Sequence, residues 1–228
     1  MGRVTEQGDY EVTDADRAHF DTHGFVHLEQ VVLPRRYWPQ WQGNVFERRG
    51  LSIAQQLQGD GMELDYDQLL AKQPRKTDAV FAWHQDMAYW PDTPDTRTAT
   101  LWLGVDDSTV ENGCMRFVPE TNHESELRPH EPVFGGRGTS HALGTELRPD
   151  DLVKPTPIAR GDCTVHNERV MHGSGGNQTD GFRRAYIVAY RSVETVAAER
   201  ELGFTHSHND ELDVIESVGV DGQTTTER

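Results

Sequence analysis

Cysteine is scarce in this chain, which has only Cys114 and Cys163 among its 228 residues. Two cysteines build neither a disulfide framework nor a zinc site with several thiolate ligands. We interpret them as reduced thiols, which are typical of a cytoplasmic protein. Nothing in the first residues resembles a signal peptide, so we expect a cytoplasmic location.

Long apolar runs and positive charge are also lacking. No stretch approaches the roughly 20 apolar residues that a membrane-spanning helix needs, so we expect no membrane partner. Lysine and arginine number 22 against 38 aspartates and glutamates, which gives a formal net charge of -16. Binding to nucleic acid requires clustered basic side chains, so we expect no nucleic-acid partner either. The length suits one large domain, which we expect to cover residues 1–228.

Several motifs of other enzyme classes are absent. The chain has no internal repeat, no glycine-rich phosphate motif and no nucleophile elbow of a Ser-His-Asp hydrolase. Short β patterns separated by turn signals fill its second half instead. They cover residues 98–106, 114–118, 163–167, 170–174 and 183–190. Such a series of short strands, with helices mainly at the start, predicts a sandwich or barrel with flanking helices.

The first half of the chain and one later segment are less regular. Capping residues predict one helix over about residues 14–23 and another opening at Pro34, so we place the N-terminal helices within residues 13–45. A strand is predicted between them at residues 25–32. Residues 43–80 show only short apolar patterns and receive no firm assignment. Residues 120–157 are polar and rich in Gly and Pro, which favours an active-site loop.

The stretch from Phe81 to Trp90 contains the first candidate site. It is rich in aromatics and lacks Gly and Pro, so it predicts a β-strand. Successive strand side chains point to opposite faces, which puts His84 and Asp86 on one face and Gln85 on the other. Together with a distant histidine, this pair would form the facial triad of non-haem Fe(II) oxygenases. Taken alone, His-x-Asp is a weak signal, because it is more often an ordinary surface pair than a metal site.

His172 is the candidate for that third ligand. It precedes the glycine-rich stretch 175–181, and Arg183 opens the strand after it. We predict an antiparallel hairpin that brings Arg183 back near His172. An arginine beside a metal suits an anionic co-substrate, because its planar fork pairs bidentately with a carboxylate. The alternative is a buried structural histidine and an unrelated surface arginine.

These residues belong to a wider set of motifs. The set comprises His84-x-Asp86, Trp102-Leu103-Gly104-Val105-Asp106-Asp107, Glu111-Asn112-Gly113, Phe117-Val118-Pro119, Gly161-Asp162, His172-Gly173-Ser174, Asn177 and Arg183. It resembles the phytanoyl-CoA dioxygenase family of Fe(II)- and 2-oxoglutarate-dependent oxygenases, well over residues 81–192 and loosely over residues 14–33. The chain departs from the family at Pro119 to His123, where Pro-Gly-Ser-His is usual, so no role is carried over to His123. Residues 41–57 also look short, as if a segment covering the substrate were reduced.

The resemblance implies a mainly β fold with flanking helices, a double-stranded β-helix of the jelly-roll, cupin-like kind. It implies His84, Asp86 and His172 as iron ligands and Arg183 as the partner of the 2-oxoglutarate C5 carboxylate. Further implied roles are co-substrate support from Thr100 and Ser174, and a pocket wall, or a plain core position, for Trp102. Arg184 would point away from the site, and His166 would be a buried, hydrogen-bonded histidine rather than a substrate contact.

The implied cofactors are Fe(II), 2-oxoglutarate as co-substrate, and O2. The enzyme would release succinate and CO2 while oxidising an unactivated C–H bond of a small organic molecule. Hydroxylation is expected, with cyclisation, epimerisation or desaturation as alternatives. Asp86 disfavours a halogenase, and Arg183 disfavours a non-enzymatic binding module with an incidental metal. The acidic composition favours a free natural-product intermediate over an acyl-CoA. The sequence does not determine the oligomeric state.

Overall fold

The computed structural model of the chain describes residues 39–133 and 142–204, together with residues 3–4, 10–11, 31–32 and 34–37. It divides into two units, Met1–Gln42 with His206–Arg228, and Gly43–Thr205. In the first unit, strands β1 (Arg3–Val4) and β2 (Tyr10–Glu11) pair antiparallel. Strand β3 (Val31–Val32), helix α1 (Pro34–Tyr37) and the 3-10 turn Pro39–Trp41 follow. The helix predicted at residues 14–23 and most of the strand at 25–32 lie outside the described residues.

The second unit begins with helix α2 (Val45–Gln58) and ends with helix α3 (Val193–Glu201). The strands between them are β4 (Met62–Lys72), β5 (Phe81–His84), β6 (Thr98–Gly104), β7 (Met115–Val118), β8 (Glu131–Pro132), β9 (Leu143–Gly144), β10 (Lys154–Thr156), β11 (Cys163–His166), β12 (Met171–Ser174) and β13 (Arg183–Ser192). Two 3-10 turns, Asp86–Tyr89 and Thr121–His123, interrupt the series.

Eight strands of this unit build two antiparallel sheets. One sheet has the order β11-β6-β13-β4, and we call it the arginine sheet because Arg183 lies on it. The other has the order β10-β7-β12-β5, and we call it the histidine sheet because it carries His84 and His172. Most connections cross from one sheet to the other, as in a jelly roll. The predicted mainly β fold with flanking helices is thereby confirmed.

Helix α2 was not assigned from the sequence. It starts where the Asn44 side chain accepts a hydrogen bond from the Glu47 backbone N–H (3.0 Å), and it ends at Gly59, whose φ is 87°. Its buried face includes Glu47 and Gly50 rather than a full apolar stripe. The Tyr186 hydroxyl donates to Glu47 (3.0 Å), which satisfies this buried carboxylate. Because polar residues lie on its inner face, the helix does not show the apolar pattern by which a helix is recognised in a sequence.

Strand β4 was missed for a similar reason. It runs over 11 residues, but Asp67 and Lys72 are buried, so the usual alternation of apolar and polar residues is broken. Asp67 Oδ2 lies 3.1 Å from the same Tyr186 hydroxyl, and Lys72 donates to Ser174 (2.7 Å). Hydrogen-bonded polar groups can be buried where a hydropathy pattern expects apolar ones.

Two further predictions about connections are corrected. Residues 120–157 are not one loop: they contain a 3-10 turn and the β8–β9 pair, and β10 within them belongs to the histidine sheet. The predicted hairpin between β12 and β13 is wrong, because β12 pairs with β5 and β7 whereas β13 pairs with β4 and β6. The connection over residues 175–182 crosses between the sheets, so His172 and Arg183 meet across the interior instead.

Within the described ranges, no helix is both long enough and apolar enough to cross a bilayer. Cys114 is buried and Cys163 is half-buried, and both are free thiols.

Candidate metal and co-substrate site

The segment that carries His84 and Asp86 is a strand only as far as His84. Gln85 is extended (φ -117°, ψ 126°), and Asp86 opens a 3-10 turn, so the strand predicted to run to Trp90 is too long. The strand ladder stops because the backbone N–H of Gln85 donates to His130 (3.0 Å) and that of Met87 donates to Glu168 (3.0 Å). The extended Gln85 still places His84 and Asp86 on the same side, as the strand argument expected.

Gln85 anchors this segment from behind. Its side chain is fully buried, with Oε1 accepting from the Arg128 backbone N–H (2.9 Å) and Nε2 donating to the Arg169 carbonyl (2.6 Å). Arg128 is itself held by ion pairs to Glu124 (2.7 Å) and Asp151 (2.6 Å). Arg128, held by these two ion pairs, therefore helps to fix the backbone between the two candidate ligands, a role that sequence reasoning missed.

His84, Asp86 and His172 come together as a cluster. One donor atom from each lies within 4.8 Å of the others. His84 and His172 face each other in the β5–β12 pair, and the Nε2 atom of each is 3.4 Å from Asp86 Oδ1. Each side chain is at most 14% exposed. The donor set of two imidazoles and one carboxylate matches the facial triad of non-haem iron sites.

The two imidazoles are oriented by backbone carbonyls. His84 Nδ1 lies 2.7 Å from the Ala82 carbonyl, and His172 Nδ1 lies 2.9 Å from the Val170 carbonyl. Because a carbonyl only accepts, Nδ1 carries a proton in both rings, which leaves Nε2 as the atom that faces Asp86 and could bind a metal. Burial alone would raise the Asp86 pKa, but His172, followed by His166 and His84, outweighs it and holds that pKa well below its usual range. The carboxylate is therefore ionised.

Arg183 lies in the same cavity as the cluster. It is 1% exposed, and its Nε and Nη1 atoms have no hydrogen-bond partner among the described residues. The guanidinium stacks over Trp102, with 5.0 Å between its central carbon and the ring centroid. Burial lowers the pKa of Arg183 to about 10, so it stays charged at neutral pH. A buried, charged fork of this kind suits a carboxylate ligand.

Lys72 adds a second buried cation that the sequence analysis missed. It is opposite Arg183 in the β4–β13 pair and is 2% exposed. Its Nζ donates to Ser174 Oγ (2.7 Å) and to the Gly175 carbonyl. Burial, then Arg183, then Arg116 lower the Lys72 pKa to about 7. The sequence signal that could have found it is a lysine directly after Leu69-Leu70-Ala71. Lysines are rarely buried unless they are paired, so a lysine that continues an apolar strand is unusual.

The cavity between the sheets has a volume of about 90 Å³ and is lined by the cluster and Arg183. Thr100, Trp102 and Ser174, which the family resemblance had suggested, also line it. Thr100 Oγ1 is buried with no hydrogen-bond partner among the described residues. Further lining residues include Tyr66, Gln68, Phe81 and His166.

The remaining candidate residues lie in different environments. Arg184 is exposed and pairs with Asp106 (2.8 Å), so it points away from the cavity as expected. His123 is exposed and ends the turn Thr121–His123. His166 is buried and lies closer to the cluster than expected, with its Nε2 atom 3.5 Å from Asp86 Oδ2.

Comparisons with known proteins find relatives that match half of this chain or more. A cattle relative, "Phytanoyl-CoA dioxygenase domain-containing protein 1" from Bos taurus, is 34% identical over 117 residues, which span 50% of this chain and 40% of that protein. The "Probable alpha-ketoglutarate-dependent hypophosphite dioxygenase" of Stutzerimonas stutzeri is 25% identical over 201 residues, which span 85% of this chain and 67% of that protein.

Among solved structures, EvdO2 from Micromonospora carbonacea var. aurantiaca complexed with 2-oxoglutarate is 28% identical to this chain. The match has a TM-score of 0.63 and covers 85% of this chain and 76% of EvdO2. The family model described as "Phytanoyl-CoA dioxygenase (PhyH)" matches residues 4–185, which is well over half of the sequence. The chain therefore belongs to the phytanoyl-CoA dioxygenase family.

Proposed function

We propose that this chain is an Fe(II)- and 2-oxoglutarate-dependent oxygenase. The observation that carries the proposal is the presence in one cavity of a His-Asp-His cluster and a buried arginine whose fork has unpartnered nitrogens. A metal-binding module without a keto-acid partner would have no use for Arg183 in this position. Membership of the phytanoyl-CoA dioxygenase family and the likeness to EvdO2 in complex with 2-oxoglutarate support the same reading.

The residues that line the cavity fit an iron ion and 2-oxoglutarate. His84, Asp86 and His172 would hold the iron, and three protein ligands leave coordination positions open for other molecules. Bound iron with 2-oxoglutarate and O2 supplies the oxidation of a substrate C–H bond, with release of succinate and CO2.

The other side chains would bind and orient the co-substrate. Arg183 would pair with its C5 carboxylate, and Ser174 and Thr100 would offer hydroxyl groups from the two sheets. Lys72 would contribute a second positive charge through its contact with Ser174. Trp102 keeps the Arg183 guanidinium in a fixed plane, which pre-organises it for a bidentate contact. Because Arg183 and Lys72 are both almost fully buried, bound co-substrate would be shielded from water.

We propose hydroxylation of a small organic molecule, a natural-product intermediate, as the reaction. The relatives do not identify the substrate of this chain, because the name of one contains phytanoyl-CoA and that of another contains hypophosphite. Cyclisation, epimerisation and desaturation are alternatives that start from the same substrate C–H bond. Asp86 occupies the ligand position that a halogenase would leave to chloride, so halogenation is disfavoured.

A free small molecule is favoured over an acyl-CoA by charge. A CoA thioester carries several phosphate charges and needs available cations near the site. Two arginines of residues 120–157 are already paired with acids: Arg128 with Glu124 and Asp151, and Arg148 with Glu124. The whole chain carries a formal charge of -16, which opposes long-range attraction of a polyanion.

The ligand assignment can be tested with His84→Ala, Asp86→Ala and His172→Ala. Each change removes one donor of the cluster, so anaerobic addition of Fe(II) and 2-oxoglutarate should no longer give the weak visible charge-transfer band of the chelate. His123→Ala, an exposed histidine away from the cluster, is the matched control and should keep the band. An unchanged band in all three cluster variants would refute the assignment.

The co-substrate assignment can be tested by comparing Arg183→Ala with Arg184→Ala. Removing one partner of a buried charge pair costs roughly 3–5 kcal/mol, so the Kd for 2-oxoglutarate should rise at least about 100-fold in Arg183→Ala. Iron affinity measured without 2-oxoglutarate should change little. Arg184→Ala should have a small effect, because its ion pair is at the surface. Greater sensitivity at Arg184 would show that the wrong arginine was assigned.

The lowered pKa of Lys72 predicts that co-substrate binding depends on pH. Its pKa of about 7 means that the ammonium is charged below this pH and increasingly neutral above it. The Kd for 2-oxoglutarate should therefore rise between about pH 7 and pH 9 as the attraction is lost. Lys72→Met should bind weakly throughout and lack this Lys72-dependent rise. If the same slope persists in Lys72→Met, another group is responsible.

The substrate class can be tested by measuring succinate formation with a panel of compounds. Free polyketide, terpenoid and amino-acid candidates should include a compound that stimulates succinate release with matching product, whereas acyl-CoA thioesters should not. Product mass would distinguish hydroxylation, a gain of one oxygen, from desaturation or cyclisation, a loss of two hydrogens. Coupled turnover with CoA thioesters alone would overturn the charge argument.

A further inference from the structure

Asp86 is surrounded by three histidines, and its two carboxylate oxygens face different ones. Oδ1 lies 3.4 Å from the Nε2 atoms of both His84 and His172. Oδ2 lies 3.5 Å from the Nε2 atom of His166. His84 and His172 belong to the histidine sheet, whereas His166 ends β11 on the arginine sheet. The third histidine therefore reaches the carboxylate from the other sheet.

His166 is built differently from the two candidate ligands. In His84 and His172, Nδ1 donates to the carbonyl two residues earlier, which presents the Nε2 lone pair to a metal. His166 Nδ1 is buried and has no hydrogen-bond partner among the described residues. Nothing in the described structure therefore fixes its proton on Nδ1, while the facing Asp86 oxygen favours a proton on Nε2. His166 is thus arranged as a donor to Asp86 rather than as a further metal ligand.

The position of the ring is nevertheless well defined. His166 is 8% exposed, and its ring lies 4.5 Å from that of His172 and 5.5 Å from that of Phe117, measured between centroids. Its backbone pairs with Thr100 in the β6–β11 ladder. Packing therefore holds the ring close to Oδ2.

We propose that His166 is a positioning residue that donates its Nε2–H to Asp86 Oδ2. A carboxylate with both oxygens free can bind a metal through both and occupy two coordination positions. Engaging Oδ2 leaves Oδ1, the oxygen shared by His84 and His172, as the single donor of Asp86 and keeps a further position open. The inference rests on the proposed function, because it assigns these three side chains to the metal. Removing such an outer partner typically weakens metal binding about 10–100-fold.

Three substitutions separate this role from simple packing. His166→Phe keeps an aromatic ring beside Phe117 and His172 but removes both nitrogens. His166→Asn places an amide nitrogen near the position of Nδ1, too short to reach Asp86. His166→Gln places an amide nitrogen near the position of Nε2 and can restore the donor. His123→Gln, at an exposed site, is the matched control for the histidine-to-glutamine change.

The measurements are the Kd for Fe(II) alone under anaerobic conditions, the visible band after addition of 2-oxoglutarate, and the melting temperature of the metal-free protein. We expect His166→Phe and His166→Asn to weaken iron about 10–100-fold and to shift the band. His166→Gln should stay within a few-fold of the unaltered protein, as should the control. If His166→Phe fails to fold, the comparison of His166→Asn with His166→Gln still tests the proposal.

Two results would overturn the proposal. One is that His166→Asn has the same iron affinity and the same visible band as the unaltered protein. The other is that His166→Gln binds iron as weakly as His166→Asn, which would point to packing or direct ligation by His166. If the unaltered protein binds iron but never forms the 2-oxoglutarate band, the proposed function fails. The order of iron affinities among the variants would still test the role of His166.

Discussion

The site depends on charge held inside the protein without a matching opposite charge. Arg183 is almost fully buried with two nitrogens unpartnered among the described residues, and Lys72 lies opposite it on the neighbouring strand. Two buried cations repel each other, and part of that repulsion is relieved because the Lys72 pKa falls to about 7. A dicarboxylate that brings negative charge here would be stabilised by both groups, so the same arrangement that is costly for folding favours co-substrate binding.

The jelly-roll fold places the histidines and the buried cations on different sheets. The two candidate histidine ligands lie on one sheet and the two cations lie on the other. Ser174 links the two sheets through its hydrogen bond to Lys72. Asp86 is anionic next to the histidines, which keeps negative charge away from Arg183 and Lys72. This separation of charge would suit a molecule that has an anionic tail and a metal-binding head. The crossing between sheets at residues 175–182 makes this polarity possible.

Much of the site followed from sequence, but its surroundings did not. The period of a strand correctly placed His84 and Asp86 together because Gln85 is extended, even though the strand itself ends at His84. Pattern reasoning placed His172 and Arg183 in one site but predicted the wrong connection between their strands. The sequence of a short connection does not reveal whether the chain turns within one sheet or crosses to the other. Lys72 and helix α2 were missed because their buried polar groups are satisfied by partners far away in sequence, such as Ser174.

The two sheets also divide the chemical roles between them. The histidine sheet carries His84 and His172, whose orientation depends on carbonyls of their own strand and of the segment leading into it. Tyr66, Gln68 and Trp102 line the cavity from the arginine sheet. Under the proposed function, side chains that meet organic molecules can therefore change without moving the metal ligands. His166 stands on the arginine sheet yet lies 3.5 Å from Asp86, so a substitution of His166 would also affect a candidate metal ligand.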